Sequence, residues 1–353
     1  MLSPHAVGAD VRRFIGRRLF TAAIQVLIVT MIAYLLFFVI STLTGANPAQ
    51  RVAGRAATAE QVARVAHQLG LDRPWYSQYW HFLSGVVRGD FGYSFQQRLP
   101  VSEILFPAAS VTASLVVGAA ILWLIIAIPV GLVGALRPRS VWDRLSAVAV
   151  QIAISAPVFW VAPMLAYLLA YQPSQGKLFG FSIPPVTIFP IQGYTPPTQS
   201  ISGWATSLML PWLALAVGFA AFYARFVRAF TLEQLHEEYV LVARAKGAST
   251  SRILRSHVAP IIAPAIITLL GLDVGAMLGG ALFVEVTFGL PGLGYTAFSA
   301  IQNLDYPLTI GVITFAALMA VLANTIADVA QAALDPRVRI AGGSGNRAGG
   351  RPR

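Results

Sequence analysis

Two sets of residues in this chain have types and spacings that could do chemistry. One is three acids set in apolar runs, Asp273, Glu285 and Asp328. The other is a basic stretch, EYVLVARAKGASTSRILRSHVAP, from Glu238 to Pro260. An ionisable group inside a bilayer is costly, so each acid reads first as a proton relay, an ion site or the lining of a pathway. Each also has a structural alternative. Asp273, nearest mid-span, divides between cavity lining and helix packing. Glu285, near the end of its apolar run, fits a structural role or the edge of a gate. Asp328 lies one turn from Asn324 on one helix face, the spacing of a polar cluster that packs helices. Three familiar sources of covalent, metal or phosphate chemistry are missing. The chain has no cysteine, and its five histidines show no ligand spacing. It has no GxxxxGK[ST] phosphate cradle, so it cannot hydrolyse ATP by that route. We therefore expect no catalytic residue, no metal and no cofactor bound by this chain.

In the basic stretch, the residues from Leu232 to Lys246 suit a helix. Lys246 supplies a cation to its last turn, and Gly247 can take the left-handed conformation that ends it. Ser249 then fits the N-cap of a second helix running toward Pro260. Three uses compete: a charged loop that fixes topology, a DNA-binding helix–turn–helix, and a docking element for another protein. Tethering at both ends by apolar runs argues against DNA. Small residues at Ala243, Ala245, Gly247 and Ala248 would let a partner's backbone approach, with Arg244 and Lys246 adding charge at the rim.

Composition sets the elements that position these residues. Hydrophobic residues make up 56% of the 353 positions and charged ones 11%, with a mean hydropathy of +0.68. Soluble domains carry roughly 25% charged residues, so lipid must replace much of the water here. A spanning helix needs about 20 apolar residues. Six segments qualify: 17–41, 108–136, 144–171, 204–228, 260–288 and 308–334. The first follows RRFIGRR, but its apolar run exceeds a signal-peptide core and reads as a retained helix. Pro129, Pro157, Pro163 and Pro211 fall within spans, where each removes a hydrogen bond and can bend the helix. Gly271, Gly275, Gly279 and Gly280 give the fifth span a small-residue face for close approach.

The net charge of +11 is a topology signal. Most cations fall in the N-terminus (1–16), the 137–143 turn, the 229–259 loop and the tail (337–353), which places all four in the cytoplasm. We expect one all-α membrane domain over 17–336, with both termini inside, contact with lipid and no nucleic-acid partner. The outer loops are then 42–107, 172–203 and 289–307. Trp75, Tyr76, Tyr79, Trp80 and Phe82 predict a short amphipathic helix at the interface in the first. Proline, glycine and β-branched residues predict an ordered loop or small hairpin in the second. The glycine-rich tail reads as flexible.

The segment holding Tyr239, Val240, Ala243, Arg244, Ala245, Lys246 and Gly247 resembles the coupling (EAA) loop of type I ATP-binding-cassette importer permeases. It has the YVxxARAKG form of the dipeptide and oligopeptide branch. Leu241 and Val242 replace the Glu and first Ala of the general pattern. His257 and Ala259 stand at its Ile and Leu positions, while Ala243, Gly247 and Pro260 keep their places. LGLDRPW…QYW…GDFGYSF, VEVTFGLPGLG at 284–294, and NTIAD…LDPRVR from Asn324 to Arg339 are similar to that branch's B-type subunit. Gln331 stands where an aromatic residue is frequent. The resemblance implies a six-helix permease in the bacterial inner membrane that carries short peptides by alternating access. It also implies a second permease, two ATPases that bind ATP and Mg, and an extracytoplasmic substrate-binding protein. Tyr239, Ala243–Ser249 (Ala243, Arg244, Ala245, Lys246, Gly247, Ala248, Ser249) would contact an ATPase. Phe179, Phe181, Ile183, Ile188 and Phe189 would meet the binding protein. The alternative is an ion-coupled secondary transporter using Asp273, Glu285 and Asp328.

Overall fold

The computed structural model describes residues 16, 20–35, 48–54, 56–68 and 70–334. The expected cytoplasmic N-terminus up to residue 15 and the tail 337–353 lie outside the described residues. The elements are α1 (Phe20–Leu35), α2 (Pro48–Ala53), α3 (Ala59–Gln68), α4 (Trp75–Val87), α5 (Val101–Leu136), α6 (Val141–Ser155) and α7 (Val158–Ser174). A two-stranded hairpin follows, β1 (Lys177–Leu178) and β2 (Phe181–Ser182). Then come α8 (Ile201–Leu235), α9 (Glu238–Ala245), α10 (Thr250–Phe288), α11 (Leu293–Gln302) and α12 (Tyr306–Leu334). Four of these, α5, α8, α10 and the Tyr306–Ile326 part of α12, are long and apolar enough to cross a membrane. α6 and α7 together make a fifth candidate. The first expected span, 17–41, is described only over Phe20–Leu35.

Three expectations need correction. The single span at 144–171 is two helices meeting at 106°. The cause is Pro157, whose nitrogen cannot donate and whose ring forces Ala156 into an extended conformation with ψ 113°. The helix expected over 232–246 stops at Leu235, and Glu237 is extended with ψ 149°. Turning there folds Val240 and Ala243 back onto Leu235 and Ile253, and this apolar burial outweighs local helix propensity. The helix after Ser249 is not a short separate piece. It runs straight into the fifth span, which therefore starts ten residues earlier than read. A π-helical turn at Leu254–Val258 widens the backbone just before Pro260, which cannot donate the next helical hydrogen bond.

The described chain falls into two compact units. In the unit formed by Ala113–Leu290 and the chain from Leu322, α8 is the central helix, packed by α6, α7 and α10. α5 reaches it through glycines. A Cβ on Gly118 would stand 2.1 Å from the Trp212 ring, whose Nε1–H donates to the Ser114 carbonyl at 3.0 Å. In the unit formed by Gly16–Thr112 and Pro291–Val321, Phe91, Val101, Leu105 and Ala108 pack on Leu293, Ala300, Leu308 and Phe315. Tyr79 of α4 is the buried member of the expected aromatic helix, sharing a hydrogen bond with the Thr30 hydroxyl at 3.0 Å, whereas Tyr76 and Trp80 are exposed.

Candidate functional site

The α9 segment is built from its glycine outward. Gly247 adopts φ +79°, a left-handed conformation that costs a side-chain-bearing residue energy. Its N–H donates to the Arg244 carbonyl at 2.9 Å, and the Ala248 N–H to the Ala243 carbonyl at 3.0 Å. Together these are the paired bonds of a Schellman C-cap. Ser249 then caps α10, its Oγ accepting from the Arg252 N–H at 3.4 Å. The turn sends the chain back across α9 so that one face of the segment is sealed. Val240, Ala243, Ile253, Val258 and Ile262 form a buried cluster with Leu235, and Ala248 packs against it.

This geometry sorts the residues singled out from sequence. Arg244, Ala245, Lys246, Gly247 and Ser249 are exposed, and Ala248 is half-buried. Ala243 faces the cluster and is buried, so its small size lets α9 close on α10 rather than admitting a partner's backbone. The Tyr239 ring stacks on His257 at 6.2 Å, and its hydroxyl donates to Gln234 Oε1 at 2.6 Å. Burial, and then the charge of Glu237, push the phenol above its ordinary value, so it stays a neutral donor. Arg244, Lys246, Arg252 and Arg255 form no ion pair among the described residues. The segment therefore presents an exposed basic edge on a rigid, cored support.

Asp273 and Glu285, roughly 18 Å apart along α10, are not brought together. Glu285 is fully buried, and its carbonyl accepts from Leu290 N–H at 2.9 Å at the end of α10. Asp273 is half-buried and accepts from the Tyr223 hydroxyl at 2.7 Å. The side chain of Asp328 lies outside the described residues.

The 172–203 stretch begins as the end of α7 and forms the expected hairpin, Lys177 opposite Ser182 and Leu178 opposite Phe181. Phe179 and Gly180 take φ +48° and +89°, the two left-handed positions of a tight two-residue turn. Phe179, Phe181 and Ile188 are exposed, while Ile183 and Phe189 are half-buried. In the crook of the 106° bend, Ile152, Pro157, Phe159 and Trp160 help line an open groove of 560 Å³.

Two polar arrangements were missed. Asp143 at the start of α6 takes Arg228 of α8 in a two-pronged pair, with Nε at 2.6 Å from Oδ1 and Nη2 at 2.9 Å from Oδ2. Asp305, buried before α12, accepts from the Ser94 hydroxyl and from the Gln96 N–H at 3.1 Å. These partners are 85 and about 210 residues apart in sequence. The only local signal was Ser140, which caps α6 through the Asp143 N–H at 3.2 Å.

Comparison with known proteins bears on this architecture. A probable peptide ABC transporter permease protein of Sinorhizobium fredii is 33% identical over 92% of this chain and 99% of its own length. A dipeptide transport system permease protein of Alkalihalophilus pseudofirmus is 31% identical over 86% and 93%. A glutathione transport system permease protein of Escherichia coli is 32% identical over 88% and 94%. A chain of the MetNI methionine ABC transporter matches 66% of this chain and 96% of its own, with a TM-score of 0.49 and 19% identity. None of the three permease relatives supports an ion-coupled secondary transporter. The model for the N-terminal part of such permeases, the binding-protein-dependent transport system membrane component, matches residues 11–116. With residues 127–340 also matching the main family model, the chain belongs to the binding-protein-dependent transport system inner membrane components, the multi-pass permeases of ABC importers.

Proposed function

We propose that this chain is the transmembrane permease subunit of an ATP-driven importer of short peptides, working by alternating access. The α9 segment carries the proposal. It offers an exposed basic edge, backed by a buried cluster that includes Ile253, Val258 and Ile262 of α10. A push on α9 therefore moves α10. In this reading α9 faces the cytoplasm, where one of two ATPase subunits docks on Tyr239, Arg244, Ala245, Lys246 and Gly247. ATP and Mg bind to those subunits, and this chain performs no covalent chemistry. A homologous second permease completes the pathway. Peptide cargo is supported by the names of the relatives from Sinorhizobium fredii and Alkalihalophilus pseudofirmus. A substrate-binding protein delivers it, meeting the hairpin through Phe179 and Phe181, whose rings project into solvent.

The test is Gly247→Leu in the assembled transporter. No atom stands near the site of an added Cβ, so the side chain is tolerated sterically, while φ +79° makes it strain the turn. We expect an intact complex whose ATP hydrolysis no longer drives dipeptide uptake, uptake falling about tenfold or more. Unchanged uptake would refute the docking role of α9. Failure of two ATPases and a second permease to co-purify in mild detergent would refute the assembly.

A further inference from the structure

We propose that Asp273 lines the translocation pathway at mid-membrane and receives the positively charged amino group of the cargo, with Tyr223 holding the carboxylate in place. The identity of the cargo rests on the peptide-import reading above. The placement of Asp273 rests on geometry alone.

Asp273 lies roughly 22 Å along α10 from Phe288, so its carboxylate sits deep within any bilayer that α10 crosses. It is half-exposed there, and an ionised carboxylate facing hydrocarbon is strongly disfavoured. Its open side must therefore face water, cargo or another protein. α10 itself leaves that side uncovered. Only 17% of its most apolar stretch is buried, against 50% for α8. Leu272, Ala276, Gly279 and Phe283 form an exposed stripe beside Asp273, and a Cβ on Gly279 would meet nothing within 4 Å.

The bonding of the carboxylate differs from that of Asp143 and Asp305. Asp143 has an arginine on both oxygens, and Asp305 has a hydroxyl and backbone N–H groups. Asp273 has one neutral donor, the Tyr223 hydroxyl on Oδ2, and no cation among the described residues. Tyr223 cannot swing away. It is fully buried, with its ring 5.5 Å from that of Trp123, which in turn stacks on Phe219 at 4.8 Å. The Trp123 Nε1–H is itself buried without a partner among the described residues. A fixed acid with one oxygen free suits a primary ammonium, a compact charge with three donors. Every unblocked peptide carries that group whatever its side chains, so one acid can serve cargo of many sequences.

Because the chain contains no cysteine, Ala276→Cys gives it a single thiol one turn from Asp273. The experiment labels this variant in the assembled transporter with aminoethyl (cationic) and sulfonatoethyl (anionic) methanethiosulfonate, with rates normalised to a free thiol. We expect the cationic reagent to react about fivefold faster or more, and Asp273→Asn to bring the ratio close to one. Absence of labelling by either reagent, or a ratio unmoved by Asp273→Asn, would overturn the proposal. In transport, Asp273→Asn should slow dipeptide uptake about tenfold while stimulation of the ATPase by the loaded binding protein stays within about twofold. Asp273→Glu should restore uptake. Normal uptake by Asp273→Asn would also overturn the proposal. If the unmodified transporter moves no dipeptide but the labelling result holds, the peptide reading fails and the acidic pathway site stands for another cationic cargo.

Discussion

Two long apolar helices of the Ala113–Leu290 unit, α8 and α10, are treated in opposite ways. α8 has half of its most apolar stretch buried, and α5, α6, α7 and α10 all close on it. α10 has about a third of that coverage, yet it carries Asp273 and Glu285 and begins beside α9. In a soluble protein the less covered helix would be the less apolar. In a bilayer, apolar surface needs no protein cover, and what lies exposed is set by what else must touch it. α8 is therefore the fixed frame of its unit. α10 is the sparsely covered helix of that unit, and on the proposal above its open face serves cargo and a second subunit.

The contrast can be broken most forcefully at Gly118. Leucine there would drive Trp212 out of its slot against α5, and we expect loss of several kcal/mol. The readout is loss of monodisperse protein on size exclusion. A well-behaved Gly118→Leu protein would mean that the α5–α8 contact is not what fixes the frame. A smaller effect is expected from Arg228→Ala, which strands the buried Asp143 while the arginine end is 37% exposed. A loss of about 1–3 kcal/mol should appear as a Tm lowered by a few degrees, and Arg228→Lys should recover part of it. The smallest effect belongs to Gly279→Ala on α10. With nothing within 4 Å, the isolated chain should change by less than about 0.5 kcal/mol. Destabilisation confined to the complete transporter would sharpen the view that this face is covered by another subunit. A large loss in the isolated chain would break it.

Much of this was legible in the sequence because its causes are local. Lys246, Gly247 and Ser249 announce a helix end, a left-handed turn and a cap within four residues, and the structure has all three. The proline, glycine and β-branched pattern of 172–203 reads as an ordered loop or small hairpin, and a hairpin forms at Lys177–Ser182. Pro157 signals a possible bend, but a proline states neither the angle nor whether the helix resumes, so from sequence the two helices at 106° look like one span. The inward face of Ala243 was illegible for a different reason. It depends on Leu235, Ile253 and Ile262 meeting it, and no short window contains that meeting. The same holds for Asp143 with Arg228 and for Asp305 with Ser94, where a charge in one segment is answered from a distant one. In the site, residue types could nominate Asp273. Its dependence on a single tyrosine came only with the fold.

The unbroken run from Thr250 to Phe288 has a mechanical consequence. At 1.5 Å per residue it extends about 58 Å, nearly twice the thickness of the hydrocarbon layer. A tilt of only about 5° at the Ser249 end would swing the opposite tip by roughly 5 Å, the pitch of one helical turn. Asp273, a little past halfway, would sweep about 3 Å, roughly the length of a hydrogen bond. The same small rocking that parts the far tip from its neighbours can thus make or release a single ion contact on the way.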